Sequence, residues 1–203
     1  KIKNYAYLRA SKIKYNKYIY AYILGTTDNL EENIIDSYRT NGISHLFALS
    51  GLHVGIFSLI LMKILSKLKI KKVYNYLFIF IILLMFAFIT GFSPSILRSI
   101  LLFFLLGINK IYNLNIRTIN ILYLTFSIIV FVNPFIIFQI GFILSFITTF
   151  FLILTSYLIE NKNYLQSLLI VSAISFISSL GVSIYFFGSI NPMGIILNLI
   201  FVP

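Results

Sequence analysis

The sequence contains no cysteine, and this absence excludes two kinds of structure. Without thiols the chain forms neither disulfides nor thiolate metal sites. Charged residues are also scarce, at 10% of 203 residues, whereas about 25% is usual in a soluble domain. Hydrophobic residues make up 60% of the chain. This balance indicates a membrane protein and argues against a soluble domain.

Several catalytic signatures are missing as well. The sequence has no H-E-x-x-H zinc motif, no third metal ligand beside its two histidines and no phosphate-binding P-loop. After Asp36 the one acidic residue is Glu160, so the apolar runs hold no carboxylate that would orient a catalytic histidine. We therefore predict that the protein is not an enzyme, binds no cofactor, and depends on another protein for energy.

Apolar runs of membrane-spanning length recur along the chain. A helix needs about 20 residues to cross about 30 Å of hydrocarbon. The pattern predicts an all-α polytopic membrane protein with about six full transmembrane helices, near residues 46–65, 73–92, 94–109, 118–133, 135–159 and 164–187. A truncated seventh follows Asn191-Pro192. Because the chain starts without methionine and stops inside an apolar stretch, we expect a piece of a longer protein.

The segment that precedes these runs has a different character. Residues 1–43 are predicted to form a basic, tyrosine-rich amphipathic surface segment, and residues 44–203 the transmembrane domain. Its side chains that would contact DNA or lipid are Lys12, Lys14, Tyr15 and Lys17. Lysines are also concentrated in the connection 63–72, and Lys110 and Arg117 flank another connection. By the positive-inside rule these two connections face the cytoplasm, which places residues 1–43 outside.

Two polar stretches interrupt the apolar runs. The first, HLFALSGLHVG, runs from His45 to Gly55. Its glycines Gly51 and Gly55 are typical of a face that another helix approaches closely. His53 is expected to face the bundle interior, where Ser50 lies within reach as a partner.

The second stretch, GFSPSILRS, carries Arg98 between Ser95 and Ser99. Two interpretations stay open. In one, Arg98 reaches back to the membrane interface. In the other, it is a fixed cation on a polar route for an anion. Further along, Gly141 and Ser145 begin a stripe of small and hydroxyl residues that indicates close helix packing or a pore. The amide of Asn198 needs a hydrogen-bonding neighbour.

Four stretches together resemble the membrane domain of ComEC-type competence proteins. They are YRTNGISHLFALSGLHVGIF, GFSPSILRSILLF, NPFIIFQIGFILSF and INPMGIILNLIFVP, and they occur in the family's order. By motif position the resemblance marks His45, Ser50, Gly51, His53, Gly55, Arg98, Gly141, Ser145, Asn198 and Pro203. It assigns none of them a catalytic role.

The resemblance implies a channel of the bacterial cytoplasmic membrane that carries single-stranded DNA inward during natural transformation. Its partners would be single-stranded DNA, membrane lipid and other competence proteins, including a separate motor ATPase. The OB-like and metallo-β-lactamase-like domains that accompany the family's membrane domain do not show in this sequence. A small-solute transporter and a non-functional fragment of a larger channel are the alternatives.

Overall fold

The computed structural model of the chain describes residues 51–67 and 71–187. All regular structure in these ranges is helical. Six α-helices occur there: α1 (Gly51–Ser66), α2 (Lys72–Thr90), α3 (Pro94–Tyr112), α4 (Thr118–Val132), α5 (Ile140–Leu154) and α6 (Tyr164–Phe187). Short 3-10 segments, Pro134–Phe138 and Ser156–Leu158, flank α5. The predicted all-α class is confirmed, and each described helix falls on one of the six predicted spans.

Three of these helices are long and apolar enough to cross a membrane by length and composition: Lys72–Thr90, Pro94–Tyr112 and Tyr164–Phe186. The apolar helices Val54–Ser66, Thr118–Val132 and Ile140–Leu154 are shorter. The predicted amphipathic segment 1–43 and the truncated seventh span lie outside the described residues.

The prediction of one long fifth helix over 135–159 is wrong. Its α-helical part, α5, has 15 residues, which rise about 22 Å where about 30 Å is needed to span. Pro134 brings no amide hydrogen. The side chain of Asn133 accepts a hydrogen bond of 3.2 Å from the Phe135 N–H, which favours a tight turn, and the chain is extended at Gln139. Hydropathy alone does not register such a break, because the residues around it are uncharged and mostly apolar.

The described residues divide into two compact units. The first unit comprises residues 51–67 and 71–116, and therefore α1 to α3. The second unit comprises residues 117–187, and therefore α4 to α6.

In the first unit the three helices pack against one another. Buried residues of α2 recur every four positions at Asn75, Ile79, Leu83 and Ala87, so they form one stripe on the helix. Ile79, Leu83 and Ala87 join buried residues of the other two helices in a common core, which also contains Val54, Leu65, Ile96 and Ile100. The sequence therefore builds this unit from one apolar stripe per helix.

The turn between α2 and α3 reverses the chain within three residues. Gly91 ends α2 with φ 86 and donates its N–H to Ala87 O at 2.9 Å. Positive φ suits glycine because it has no Cβ. Pro94 occupies the first turn of α3, where its missing amide hydrogen costs nothing. Ser93, which precedes Pro94, makes no side-chain capping bond.

At the other end of this hairpin α2 and α3 come close together at Gly107. A Cβ on Gly107 would lie 2.5 Å from Cδ1 and 2.9 Å from Cε1 of Tyr76. The Tyr76 ring also packs against Phe103, with 5.6 Å between ring centroids. The ring therefore has little freedom to move away, and glycine is needed at this position for steric reasons.

We predict that Gly107→Ala lowers the free energy of unfolding by about 1–3 kcal/mol, the usual cost of overpacking. Gly181→Ala is the matched control, because a Cβ at Gly181 of α6 meets nothing within 4 Å. Alanine there raises stability by up to about 1 kcal/mol, since it favours the helix. Unfolding of both variants in detergent micelles, followed by circular dichroism, measures the difference. Equal effects of the two substitutions would contradict the packing described here.

The second unit has an aromatic centre. The ring centroids of Phe142 and Phe146 on α5 are 4.5 Å apart, and Phe126 of α4 lies 5.5 Å and 5.4 Å from them. Helix α5 also packs against α6. Buried hydroxyls in this unit include Thr125, which donates to Ile121 O at 2.8 Å. Several hydroxyls of these helices thus bond to the backbone of their own helix.

Candidate functional site

The two polar stretches singled out in the sequence meet in the first unit. The backbone N–H of Gly51, in α1, donates a 3.0 Å hydrogen bond to Oγ of Ser95, in α3. The two residues are 44 positions apart in the chain. This bond joins the beginning of the described α1 to the first turns of α3, and so brings HLFALSGLHVG and GFSPSILRS together.

Arg98 lies within this contact. Its Nη2 donates a 3.2 Å hydrogen bond to Oγ of Ser99. Nη2 also lies 2.7 Å from the point where a Cβ on Gly51 would stand. Arg98 as a whole residue is half-buried, its Nε atom is buried, and its Nη2 faces α1. The structure therefore places a cation against the backbone of a neighbouring helix, within an apolar unit.

Glycine is required at position 51 for this arrangement. A Cβ there would also lie 3.3 Å from Ser95 Oγ and would overlap Ser99 Oγ. Three polar groups of α3 thus occupy the space that any other residue would fill. We name Gly51, Ser95, Arg98 and Ser99 the arginine cluster.

One more hydroxyl lies at the start of α3. Ser93 Oγ is buried and has no hydrogen-bond partner among the residues that the structure describes. A buried hydroxyl without a partner is costly. The beginning of α3 is therefore rich in polar groups for a helix that is otherwise apolar.

Few charged residues lie near the arginine cluster. From residue 73 to residue 109 the sequence contains one charged residue, Arg98. The described residues also contain no group of three His, Asp or Glu side chains suited to hold a metal ion. The arginine cluster thus offers a single positive charge with hydroxyl groups beside it, which suits an anion.

The other sequence-predicted residues are placed as follows. A Cβ on Gly55 or on Gly141 would meet nothing within 4 Å. The expected close approach thus holds for Gly51, and neither Gly55 nor Gly141 shows it within the described residues. Ser145 is buried in the second unit, in agreement with a packed face. His53 lies in α1. Outside the described residues lie His45, Ser50, Asn198, Pro203, Lys12, Lys14, Tyr15 and Lys17.

Two features of the first unit escaped the sequence interpretation. One is the cross-helix bond from Gly51 to Ser95, and the other is the contact of Tyr76 with Gly107. Neither has a local signature, because each joins residues that are distant in the chain. A glycine inside a helical run was the available signal, since helices carry interior glycine at a cost of about 1 kcal/mol.

Comparison with known proteins identifies the family. The family model described as "Competence protein" matches residues 22–203. The chain belongs to the competence protein family. It is also 30% identical over 186 residues to ComE operon protein 3 of Bacillus subtilis (strain 168). That alignment covers 91% of this chain and 24% of the relative. The chain thus spans about a quarter of the length of the curated relative.

No solved structure matches the chain. The resemblance to ComEC-type competence proteins that the four stretches carried is confirmed by both sequence comparisons. The arginine cluster therefore joins two stretches that resemble motifs of this competence family.

Proposed function

We propose that this chain is part of a membrane channel that carries single-stranded DNA across the bacterial cytoplasmic membrane during natural transformation. The observation that supports this proposal best is the arginine cluster. It unites two of the stretches that resemble the family's motifs around one cation.

A DNA strand presents one phosphate charge per nucleotide, so its path requires cations. In a partly dehydrated site a fixed charge attracts phosphate more strongly than in bulk water, because the effective dielectric constant is lower. Conduction also requires release, which a single weak site permits better than a dense cluster. The arginine cluster has one guanidinium, and neighbouring serine hydroxyls add hydrogen-bonding groups without further charge.

The remaining parts of the proposal follow from the same interpretation. The protein crosses the membrane several times, with six full spans and a seventh that begins after Asn191-Pro192. The channel performs no chemistry, and a separate motor ATPase of the competence machinery supplies the energy.

The proposal is tested by deleting the gene that contains this sequence in its natural host. We expect labelled DNA to remain bound outside the deletion strain and to enter the cytoplasm after the full-length gene is restored. Entry of DNA at the normal rate without the gene would contradict the proposal. A solute transport defect with normal DNA entry would favour the small-solute transporter.

The orientation gives a further prediction. The structure places the connection between α1 and α2 at the same end of the first unit as the end of α3, as the contact of Tyr76 with Gly107 shows. We predict that this end is cytoplasmic. Lys67→Cys, in a chain that has no cysteine of its own, should react with an impermeant thiol reagent only after the cells are opened. Phe92→Cys, in the turn at the opposite end, is the matched control and should react in intact cells. Labelling of Lys67→Cys in intact cells would contradict the predicted orientation of the protein in the membrane.

A further inference from the structure

Five lysines lie together at one end of the first unit. Helix α1 ends and α2 begins at this end, with Lys63 and Lys67 on one side of the connection and Lys71 and Lys72 on the other. Because Tyr76 of α2 packs against Gly107 of α3, the last turn of α3 brings Lys110 to the same end. We name these five residues the lysine end. The arginine cluster lies at the opposite end of the unit.

The described residues of the first unit hold no negative charge to compensate the lysine end. All five lysines are exposed, and the described residues of the first unit contain no aspartate or glutamate. Like charges gathered at one end of a helical unit repel one another. A bound anion would therefore stabilise this end of the helices.

Apolar and aromatic side chains lie directly beside these lysines. Ile64 follows Lys63 on α1 and is 54% exposed, while Val73 and Leu77 on α2 are 45% and 48% exposed. The tyrosines Tyr74 and Tyr112 are also exposed. Tyrosine is typical of the layer between hydrocarbon and water. Along α2 the exposed surface thus passes from the lysines Lys71 and Lys72 to the apolar and aromatic side chains of Val73, Tyr74 and Leu77.

We propose that the lysine end binds the headgroup of an anionic phospholipid, with the acyl chains against the exposed apolar side chains of α1 and α2. Along α2 the change from lysines to exposed apolar side chains matches the order along such a lipid, from phosphate to hydrocarbon. A nucleic acid strand matches the lysines and can stack its bases on Tyr74 and Tyr112, but it has no hydrocarbon chain to cover Val73 and Leu77. The proposal is independent of the DNA channel, since it concerns the opposite end of the unit.

The test uses native mass spectrometry of the purified chain in neutral detergent, with phosphatidylglycerol and phosphatidylcholine added in turn. We expect phosphatidylglycerol to be retained in preference to phosphatidylcholine. This preference should weaken as the salt concentration is raised, because salt screens the lysine charges. The double variant Lys71→Gln/Lys72→Gln should retain phosphatidylglycerol about twenty-five-fold more weakly. Each lysine near an anionic surface contributes about 1 kcal/mol, or about fivefold. Lys162→Gln, an exposed lysine of the second unit, is the control and should behave as the unchanged chain.

Three results would overturn the proposal. The first is equal retention of the two lipids, and the second is an equal loss in Lys162→Gln and in the double variant. The third is displacement of phosphatidylglycerol by a single-stranded oligonucleotide at the same salt concentration, which would make the lysine end a nucleic-acid surface. The substituted lysines are exposed, so the helix content measured by circular dichroism should be unchanged in every variant.

Discussion

Arg98→Gln should reduce the uptake of labelled single-stranded DNA by the full-length protein by about tenfold or more. A hydrogen bond to a charged group contributes about 1.5–3 kcal/mol, and 1.4 kcal/mol corresponds to tenfold. Glutamine keeps hydrogen-bonding capacity but removes the charge that a phosphate requires. The loss should appear at equal protein levels in the membrane, because the rest of α3 is unchanged.

The Arg98→Lys variant should take up DNA at a rate between those of Arg98→Gln and the unchanged protein. Lysine keeps the charge but lacks the planar fork that donates to Ser99 and to a phosphate at the same time. An arginine that merely anchors the helix at the interface would behave differently, since both replacements would then preserve uptake.

Arg117→Gln is the matched control for the loss of an arginine. Arg117 is exposed and precedes α4, so its replacement should leave uptake near normal. Near-normal uptake by both Arg98 variants would contradict a role for Arg98 on the strand's path and would leave anchoring as the better account.

Gly51→Ala should also reduce uptake strongly. Its new Cβ would overlap Ser99 Oγ and press on Arg98 Nη2, so the guanidinium must move or α1 must shift away from α3. The groups that the Cβ meets are the ends of flexible side chains, so the expected defect is a displaced guanidinium at normal protein levels in the membrane. Gly55→Ala, one turn further along α1, is the matched control, because a Cβ there meets nothing within 4 Å.

A double substitution separates the loss of the cluster from a general loss of folding. Ser99→Ala removes the hydroxyl that the new Cβ of Gly51→Ala would overlap. The double variant should therefore lose less uptake than the sum of the losses in the two single variants. This coupling is measured from DNA uptake and membrane levels of the unchanged protein, Gly51→Ala, Ser99→Ala and the double variant. Indistinguishable behaviour of Gly51→Ala and Gly55→Ala would contradict the close approach at Gly51.

The helices were predictable from the sequence where a local signal marks their limits. Pro94 suits the first turn of α3, Gly91 suits the left-handed end of α2, and α6 follows a polar turn at residues 160–163. The break before α5 was not predicted. It depends on Pro134 and on the hydrogen bond that the Phe135 N–H donates to the Asn133 side chain, within a run that is uncharged and mostly apolar.

The candidate site was predictable in its members but not in its assembly. The spacing of Ser95 and Ser99 about Arg98 follows from helical periodicity, and the glycines of α1 indicated close packing. Hydropathy and periodicity do not show which helix approaches Gly51, or that Gly55 is left without a close neighbour. Both outcomes depend on how the three helices pack. The contact of Gly51 with Ser95 is therefore a property of the fold.

The most direct test of the central claim asks whether the strand touches the arginine cluster during uptake. Ser95→Cys is close in size to the natural residue and would be placed in a full-length protein otherwise free of cysteine. A single-stranded oligonucleotide with thiol-reactive groups on its backbone should become attached at position 95 during uptake. Met85→Cys, an exposed position on α2, should give little attachment. Normal uptake with no attachment at position 95, or with equal attachment at both positions, would contradict the claim.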